Sequence, residues 1–278
     1  MGEQRVVVTG ATGNVGRYVL EDLRERGVPV RAATPHPRGG AARFDWTDAA
    51  TWRPAFEDAS AVFVVRPPQL SDVARDMVPA LDEARRLGVR RFVLLSLQGA
   101  ERNPVVPHHK LERYLRATGD GWTFVRPSFF MQNLSTTHAA DVRDHDRIIV
   151  PAGGGRTAFV DVRDVAAVAA AALADDAHAG RAYTPTGPDA LTYDQVASVL
   201  SAELGRPVDY VRPSALQYWW HARRTGMPPA MALVTLGIYT TARLGLAAGL
   251  TGDVERVTGR PPRALARFAH DERAAWLR

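Results

Sequence analysis

Lys110 is the single lysine among the 35 Lys and Arg residues of this 278-residue chain; the other 34 are arginines. Arginine serves a surface as well as lysine does, but the two differ where a compact, titratable ammonium is needed. Two readings follow: Lys110 is retained for chemistry, or it entered by drift. His108 and His109 adjoin it. Imidazole titrates near neutrality, so either ring is a candidate proton donor, with a surface histidine pair as the alternative. A second constellation is Gly10-Ala-Thr-Gly-Asn-Val-Gly16. In a strand-to-helix loop this spacing suits a pyrophosphate. Gly10 permits a tight turn, Gly13 lets the backbone approach the phosphates, and Gly16 lets the helix pack closely on the strand. Thr12, Asn14 and Val15 complete the candidate cradle. A glycine-rich turn without a ligand is the alternative.

These residues need a frame, and the periodicity supplies one. Val6-Val7-Val8 is a short β-branched run of the buried-strand kind. Val15, Val19, Leu20 and Leu23 then recur at helical spacing over 14–26, and Gly27 closes that helix. Val28 to Ala33 reads as a strand, Asp48 to Asp58 as a short helix, and Ala61 to Val65 as a buried strand. Ser71 suits the cap of a helix running to about Leu87. Arg91 to Ser96 is a strand, His108 to Thr118 a helix, and Gly121 to Arg126 a strand stopped by Pro127. This alternation with short loops predicts the α/β class. The expected form is a doubly wound parallel sheet, since parallel strands need crossover connections.

Past residue 135 the pattern changes. Phe159 to Val162 reads as a strand and Asp164 to Ala174 as an alanine-rich helix. Thr192 caps a helix to Leu204, and the tail from Pro213 is mostly helical. The expected organisation is a dinucleotide-binding domain over 1–150. Residues 151–278 then complete that fold, interleaved with a smaller, mostly helical lobe. Met231 to Leu250 carries one charge, Arg243, and approaches the length of a membrane span. Its glycines and threonines favour a buried or mouth-lining helix pair.

The end of the second strand commonly reads the adenosine ribose, and an acid there favours NAD. Here Arg31-Ala-Ala-Thr34-Pro-His-Pro-Arg38 holds no acid and several basic groups. NADP(H) is therefore favoured over NAD(H), with Arg31, Thr34 and Arg38 as the candidate contacts. Asp45 either meets the adenine amino group or belongs to a surface turn.

The chain has no cysteine, which excludes disulfides, thiolate chemistry and cysteine-ligated metals. Its eight histidines match no metal-site spacing, so no metal is expected. The formal charge of +5 is spread along the chain. That suits a solvated surface better than nucleic acid. No basic-then-apolar segment precedes the first strand, and a cytoplasmic protein without a membrane partner is the expectation. The expected partner is a small molecule, with a homodimer also compatible.

The run Val8 to Gly16 resembles the opening of the NmrA-like proteins, an atypical branch of the short-chain dehydrogenases. The likeness continues through Val62 to Pro68, Trp122 to Asn133, Phe159 to Ala166 and Thr258 to Pro262. It implies a Rossmann domain, a C-terminal substrate lobe and NAD(P)(H) binding. Members include quinone, azo-dye and triphenylmethane-dye reductases, isoflavone-type reductases, and regulators that sense NADP without chemistry. By this resemblance Val65, Arg66 and Pro67 line the adenosine–pyrophosphate channel, and Pro127 joins the cofactor contacts. Ser96 lies near the nicotinamide. Lys110 holds the nicotinamide ribose or acts in catalysis, with His109 as a further catalytic candidate.

Two departures stand out. The tyrosine that the short-chain dehydrogenases place four residues before the lysine is Val106 here, and Pro35 stands where many relatives have an arginine. Tyr114, four residues after Lys110, has packing as its expected role. The reaction implied is hydride transfer from NAD(P)H to an aromatic, quinone-like or conjugated carbonyl compound. A quinone suits the missing tyrosine, because hydride arrival yields a stabilised phenolate. Phe129, Phe130, Met131, Asn133, Phe159 and Trp219 would form an apolar substrate wall, or plain core. A redox sensor without turnover and a non-redox isomerase or cyclase are the competing readings.

Overall fold

The β-branched run at the start of the chain forms β1 (Arg5–Thr9), and the helical periodicity after it forms α1 (Gly16–Glu25). The structure is a computed structural model and describes residues 5–119 and 121–278. The chain continues through β2 (Val30–Thr34), β3 (Ala42–Arg43), α2 (Trp52–Phe56), β4 (Ala59–Val65), α3 (Val73–Asp76), α4 (Val78–Arg86), β5 (Arg91–Leu95), α5 (Pro107–Ala117) and β6 (Gly121–Val125). Next come β7 (Phe129–Phe130), α6 (Gln132–Ser135), α7 (Ala139–His145), β8 (Arg147–Ile149), β9 (Thr157–Val160), α8 (Val162–Ala174) and β10 (Arg181–Tyr183). The remainder is β11 (Ala190–Leu191), α9 (Tyr193–Leu204), β12 (Asp209–Val211), α10 (Ala215–Arg224), α11 (Pro229–Arg243), α12 (Asp253–Thr258) and α13 (Leu265–Asp271).

Two compact units emerge. The first comprises 1–127, 162–185 and 253–260; the second comprises 128–161, 186–252 and 261–278. The first unit is built on a seven-stranded sheet in the order β10-β6-β5-β4-β1-β2-β3. Every pairing in it is parallel. Val7, Val62, Phe63, Val64, Phe92, Val93 and Leu94 are fully buried, as strands covered on both faces require. The strand order reverses between β1 and β4, and in such sheets the crevice beyond the strands' carboxyl ends is where ligands bind. This is the doubly wound Rossmann arrangement expected from the alternation.

Local chemistry explains most boundaries. Thr192 and Ser214 head capping boxes, with Gln195 and Gln217 answering from the third helical position. The helix expected from Ser71 to Leu87 is instead two helices, broken at Met77, with a proline in the first turn of α4. Its cap is Asp72, whose carboxylate accepts the Arg75 amide. A carboxylate one residue later than Ser71 therefore takes the N-cap role.

In the second unit a core gathers Leu134, Val142, Ile148, Tyr193, Leu200, Tyr218, Phe268 and Trp276. The apolar stretch 231–250 holds one long helix, α11, where the sequence reads as a buried or mouth-lining helix pair. Only Ala232, Tyr239 and Ala242 of α11 are buried. No helix among the described residues is long and apolar enough to cross a membrane.

Candidate functional site

The loop from β1 to α1 passes directly beneath the switch point. Gly10 sits at φ +61°, and a Cβ at that position would lie 3.1 Å from Cβ of Val65 at the end of β4. A Cβ on Gly16 would lie 2.2 Å from the Gly10 carbonyl oxygen, closer than any real side chain comes, so only glycine lets α1 start this close to the loop. Gly13 donates its amide to the Gly10 carbonyl and closes the turn. The amides of Thr12, Asn14 and Val15 donate to no acceptor among the described residues. The first turn of α1 has no acid, and its cap residue makes no side-chain bond. Open amides at a helix start, with the positive end of its dipole, are what an anionic phosphate requires. Residues 12–14 are exposed to receive one. The loop therefore fits a dinucleotide pyrophosphate.

Thr9 ties this loop's strand to β4. Its hydroxyl donates to the Phe63 carbonyl at 2.7 Å and accepts the Val65 amide at 3.0 Å. Beyond β4, Arg66 curls over its own loop and donates to the carbonyls of Pro67, Pro68 and Leu70. Its Nε is buried without a partner. Burial also lowers the pKa of this guanidinium.

At the adenosine end, Arg31 is engaged within the protein. Its guanidinium donates to the carbonyls of Pro54, Ala55 and Glu57, where it satisfies the orphan C-terminal carbonyls around α2. It also leaves β2 three residues before the strand's carboxyl end. Thr34 ends β2 and is buried, and its carbonyl accepts the Phe44 amide. Arg38 is exposed, and its side chain has no hydrogen bond or ion pair among the described residues. Asp45 forms a local turn: its Oδ1 accepts both the amide and the hydroxyl of Thr47, each at 2.8 Å. The Thr47 amide first, and then its hydroxyl, hold this carboxyl below its usual range.

Ser96 follows β5 and is buried. Its hydroxyl, expected near the nicotinamide, donates to Oε1 of Glu112 at 2.7 Å. Glu112, only 1% exposed, also takes Arg126 in a bidentate pair, Nε to Oε1 at 2.9 Å and Nη2 to Oε2 at 2.6 Å. Arg126 reaches Glu101 as well, at 3.4 Å. This buried network fastens α5 to the ends of β5 and β6. The sequence analysis missed Glu112. The available signal was a carboxylate flanked by Leu111 and Leu115 on the apolar side of α5.

Around the start of α5, Lys110 is exposed and has no hydrogen bond or ion pair among the described residues. His109 points Nδ1 at the Ala100 carbonyl, 2.8 Å away, so Nδ1 carries the proton it donates there, and Nε2 has no partner among the described residues. The Nδ1 of His108 is buried without a partner. Burial, reinforced by the Arg66 charge, lowers the pKa of His108 to about 4. Val106 caps the helix with no side-chain bond. The Tyr114 hydroxyl donates to Asp82, and burial together with that bond raises its pKa. Pro127 is buried and accepts the Gln98 amide through its carbonyl.

The expected substrate residues all lie in the second unit. Met131 and Phe159 belong to the core, the alternative role given for them above, and are 1% and 3% exposed. Phe159 stacks edge-on to Tyr193, with ring centroids 5.4 Å apart. Phe129, Phe130 and Trp219 are half-buried, and Asn133 is exposed. Phe129 packs against Phe159 at 6.5 Å between centroids. No cluster of three metal-ligating side chains occurs among the described residues.

The NmrA-like family matches residues 2–219. The chain belongs to the NmrA-like family. Its NmrA-like relatives include an NAD(P)H azoreductase of Xenophilus azovorans, 34% identical, with 98% of this chain and 99% of the relative aligned. Another is the uncharacterized oxidoreductase YesF of Bacillus subtilis, 32% identical over 99% and 98% of the two chains. Among solved structures, the NADPH-dependent quinone oxidoreductase QOR2 of Escherichia coli complexed with NADPH superposes with a TM-score of 0.86. It is 24% identical, with 96% of this chain and 99% of that one covered. The Citrobacter triphenylmethane reductase complexed with NADP(H) has a TM-score of 0.82 at 21% identity, covering 94% and 98%. These two structures share the fold of this NmrA-like chain.

Proposed function

We propose that this protein is an NAD(P)H-dependent reductase acting on an aromatic, quinone-like or conjugated carbonyl small molecule. The observation that carries the reading is the glycine loop at the switch point, with the unclaimed amides of Thr12, Asn14 and Val15. Membership of a family that contains azo- and quinone reductases supports the same chemistry.

Gly10, Thr12, Gly13, Asn14 and Val15 would hold the pyrophosphate, and Val65, Arg66 and Pro67 its neighbouring ribose. Thr34 would flank the adenosine, and Arg38 would read a 2′-phosphate, which is why NADP(H) is favoured over NAD(H). The cofactor, when bound, supplies the hydride. The chain's own part is positioning, and Lys110 is the candidate for holding the nicotinamide ribose.

The acid inventory narrows the acceptor. Tyr114 is bonded to Asp82, His108 is neutral near pH 7, and His109 has its Nδ1 engaged by the Ala100 carbonyl with Nε2 left over. Lys110 and the unpartnered Nε2 of His109 are the candidates left to face the acceptor. An acceptor that becomes a stabilised phenolate on gaining hydride needs no stronger acid, and a quinone meets that condition. Phe129, Phe130, Asn133 and Trp219 remain our candidates for contacting it. We place the protein in the cytoplasm, acting on a diffusible substrate.

The test is a fluorescence titration with NADPH and NADH, followed by the absorbance of the reduced nicotinamide after a simple quinone is added. Quinone-dependent oxidation supports the reductase. Tight binding with no oxidation by quinones, azo dyes or ketones would leave the sensor or the non-redox enzyme. No binding of either nucleotide would overturn the reading at its root.

A further inference from the structure

The second unit exposes an apolar helix face. On α11, Ala232, Tyr239 and Ala242 turn inward. Leu233 and Val234 lie on the far side, with Ile238 at its edge beside Ala242, and the three are 61%, 55% and 41% exposed. Gly237 and Thr241 fill the space between them, so that side of the helix carries no charge. Trp220 on α10 is 57% exposed, and Leu244 and Leu246, just past α11, are 67% and 71% exposed. A helix apolar on all sides is normally covered, and exposed apolar side chains gathered on one helix and its neighbours point to an interaction surface.

The charges beside the patch decide what covers it. From Tyr210 to Gly252 the sequence holds four arginines and no Asp or Glu. Arg212 is paired with Asp194, and His221 with Asp141. Arg223, Arg224 and Arg243 are exposed and have no carboxylate partner among the described residues. A two-fold contact between copies would bring the same patch against itself, with no acid in the segment to answer its arginines. An anionic bilayer answers both halves of the surface at once. Its acyl region takes the leucines and isoleucine, its phosphates take the guanidiniums, and its interface suits an exposed tryptophan.

We infer that α10 and α11 form a peripheral docking surface for an anionic phospholipid bilayer, with α11 lying on the membrane rather than across it. The inference is independent of the redox reading, since it uses no residue of the nucleotide site.

The test is co-sedimentation of the full chain with vesicles of phosphatidylcholine alone and of phosphatidylcholine and phosphatidylglycerol in equal parts. Binding is expected to the anionic vesicles only and to fall as salt is raised. R223E/R224E should weaken it roughly tenfold or more, and L233E/I238E should abolish it. Both variants should keep the wild-type far-ultraviolet circular dichroism and thermal midpoint, which shows that they fold. The proposal is overturned if the chain stays in the supernatant with anionic vesicles. It is equally overturned if binding ignores lipid charge and the arginine reversals. If the protein is instead a dimer by light scattering, broken by L233E/I238E and indifferent to vesicles, the face belongs to a second copy and not to a bilayer.

Discussion

At the scale of single residues, Lys110 and His108 are opposites. Lys110 is exposed and without a partner among the described residues. Removing it should leave the fold alone, within about 0.5 kcal/mol of the wild type in a urea titration. Its contribution should appear in turnover: K110A is expected to lower kcat for quinone reduction by roughly 100-fold, and K110R should restore only part, because a guanidinium is not a compact ammonium. Unchanged kinetics in K110A would return the lysine to drift. His108 contributes to stability through the proton it does not bind. Unfolded histidine titrates near 6.5, whereas burial, and then the Arg66 charge, bring His108 to about 4 in the folded state. Between these values the unfolded chain binds the extra proton. Stability is therefore complete above about pH 6.5 and declines as pH falls towards 4, by roughly 3 kcal/mol for this residue. His138, also lowered to about 4 by burial, adds a second contribution in the same window. Urea midpoints measured at pH 7.5 and pH 5 should fall further in the wild type than in H108Q. Equal losses would mean that His108 is solvated after all.

At the scale of elements, the parts legible in the sequence were those set by local rules. Val6 to Val8 had to be a buried strand, the glycines of 10–16 had to turn into α1, and Thr192 announced α9 as its cap. What was not legible depends on partners distant in sequence. Arg31 looks like a phosphate ligand until Pro54, Ala55 and Glu57 arrive from α2 and its end to take its protons. Glu112 and Arg126 look like two surface charges until α5 and β6 are side by side. That pair now carries a heavy electrostatic commitment. E112A leaves the buried Arg126 with only the longer contact to Glu101 and should cost about 3 kcal/mol in urea unfolding, whereas the double change E112L/R126M should recover most of it. A double variant as unstable as E112A would mean that the network's shape, and not its charge, holds α5 in place. G16A probes the loop in the same way. A methyl 2.2 Å from the Gly10 carbonyl must displace the loop or the helix. NADPH affinity is expected to fall at least about tenfold, the equivalent of one phosphate-directed hydrogen bond, as read by nucleotide fluorescence.

At the scale of the molecule, the nucleotide site belongs to a unit assembled from three separate stretches of chain. Residues 162–185 return to it as α8 and β10, and 253–260 as α12. β10 pairs with β6 at the edge of the sheet, and α8 is buried along almost its whole length. A fragment ending near residue 150 would lack both, and α1, which follows the loop at 10–16, would lose the α8 that packs against it. Nucleotide binding therefore reports on the folding of this whole unit. A ligand that binds only the folded state stabilises it by about 2.7 kcal/mol at one hundred times its Kd. In a protein of this size each kcal/mol moves Tm by about 2–4 °C. NADPH at that level should raise Tm by roughly 5 °C or more, and NADH at the same concentration by less. The difference should come from Arg38, the exposed guanidinium past β2 that no carboxylate or carbonyl among the described residues has claimed. A charge-assisted bond to a 2′-phosphate contributes about 1.5–3 kcal/mol. R38A should therefore bring the NADPH shift down to the NADH value and leave the NADH shift where it was. If R38A lowers both equally, Arg38 serves the fold and not the phosphate. If NADH stabilises the wild type as strongly as NADPH does, the absence of an acid at the end of β2 has no bearing on which cofactor is chosen.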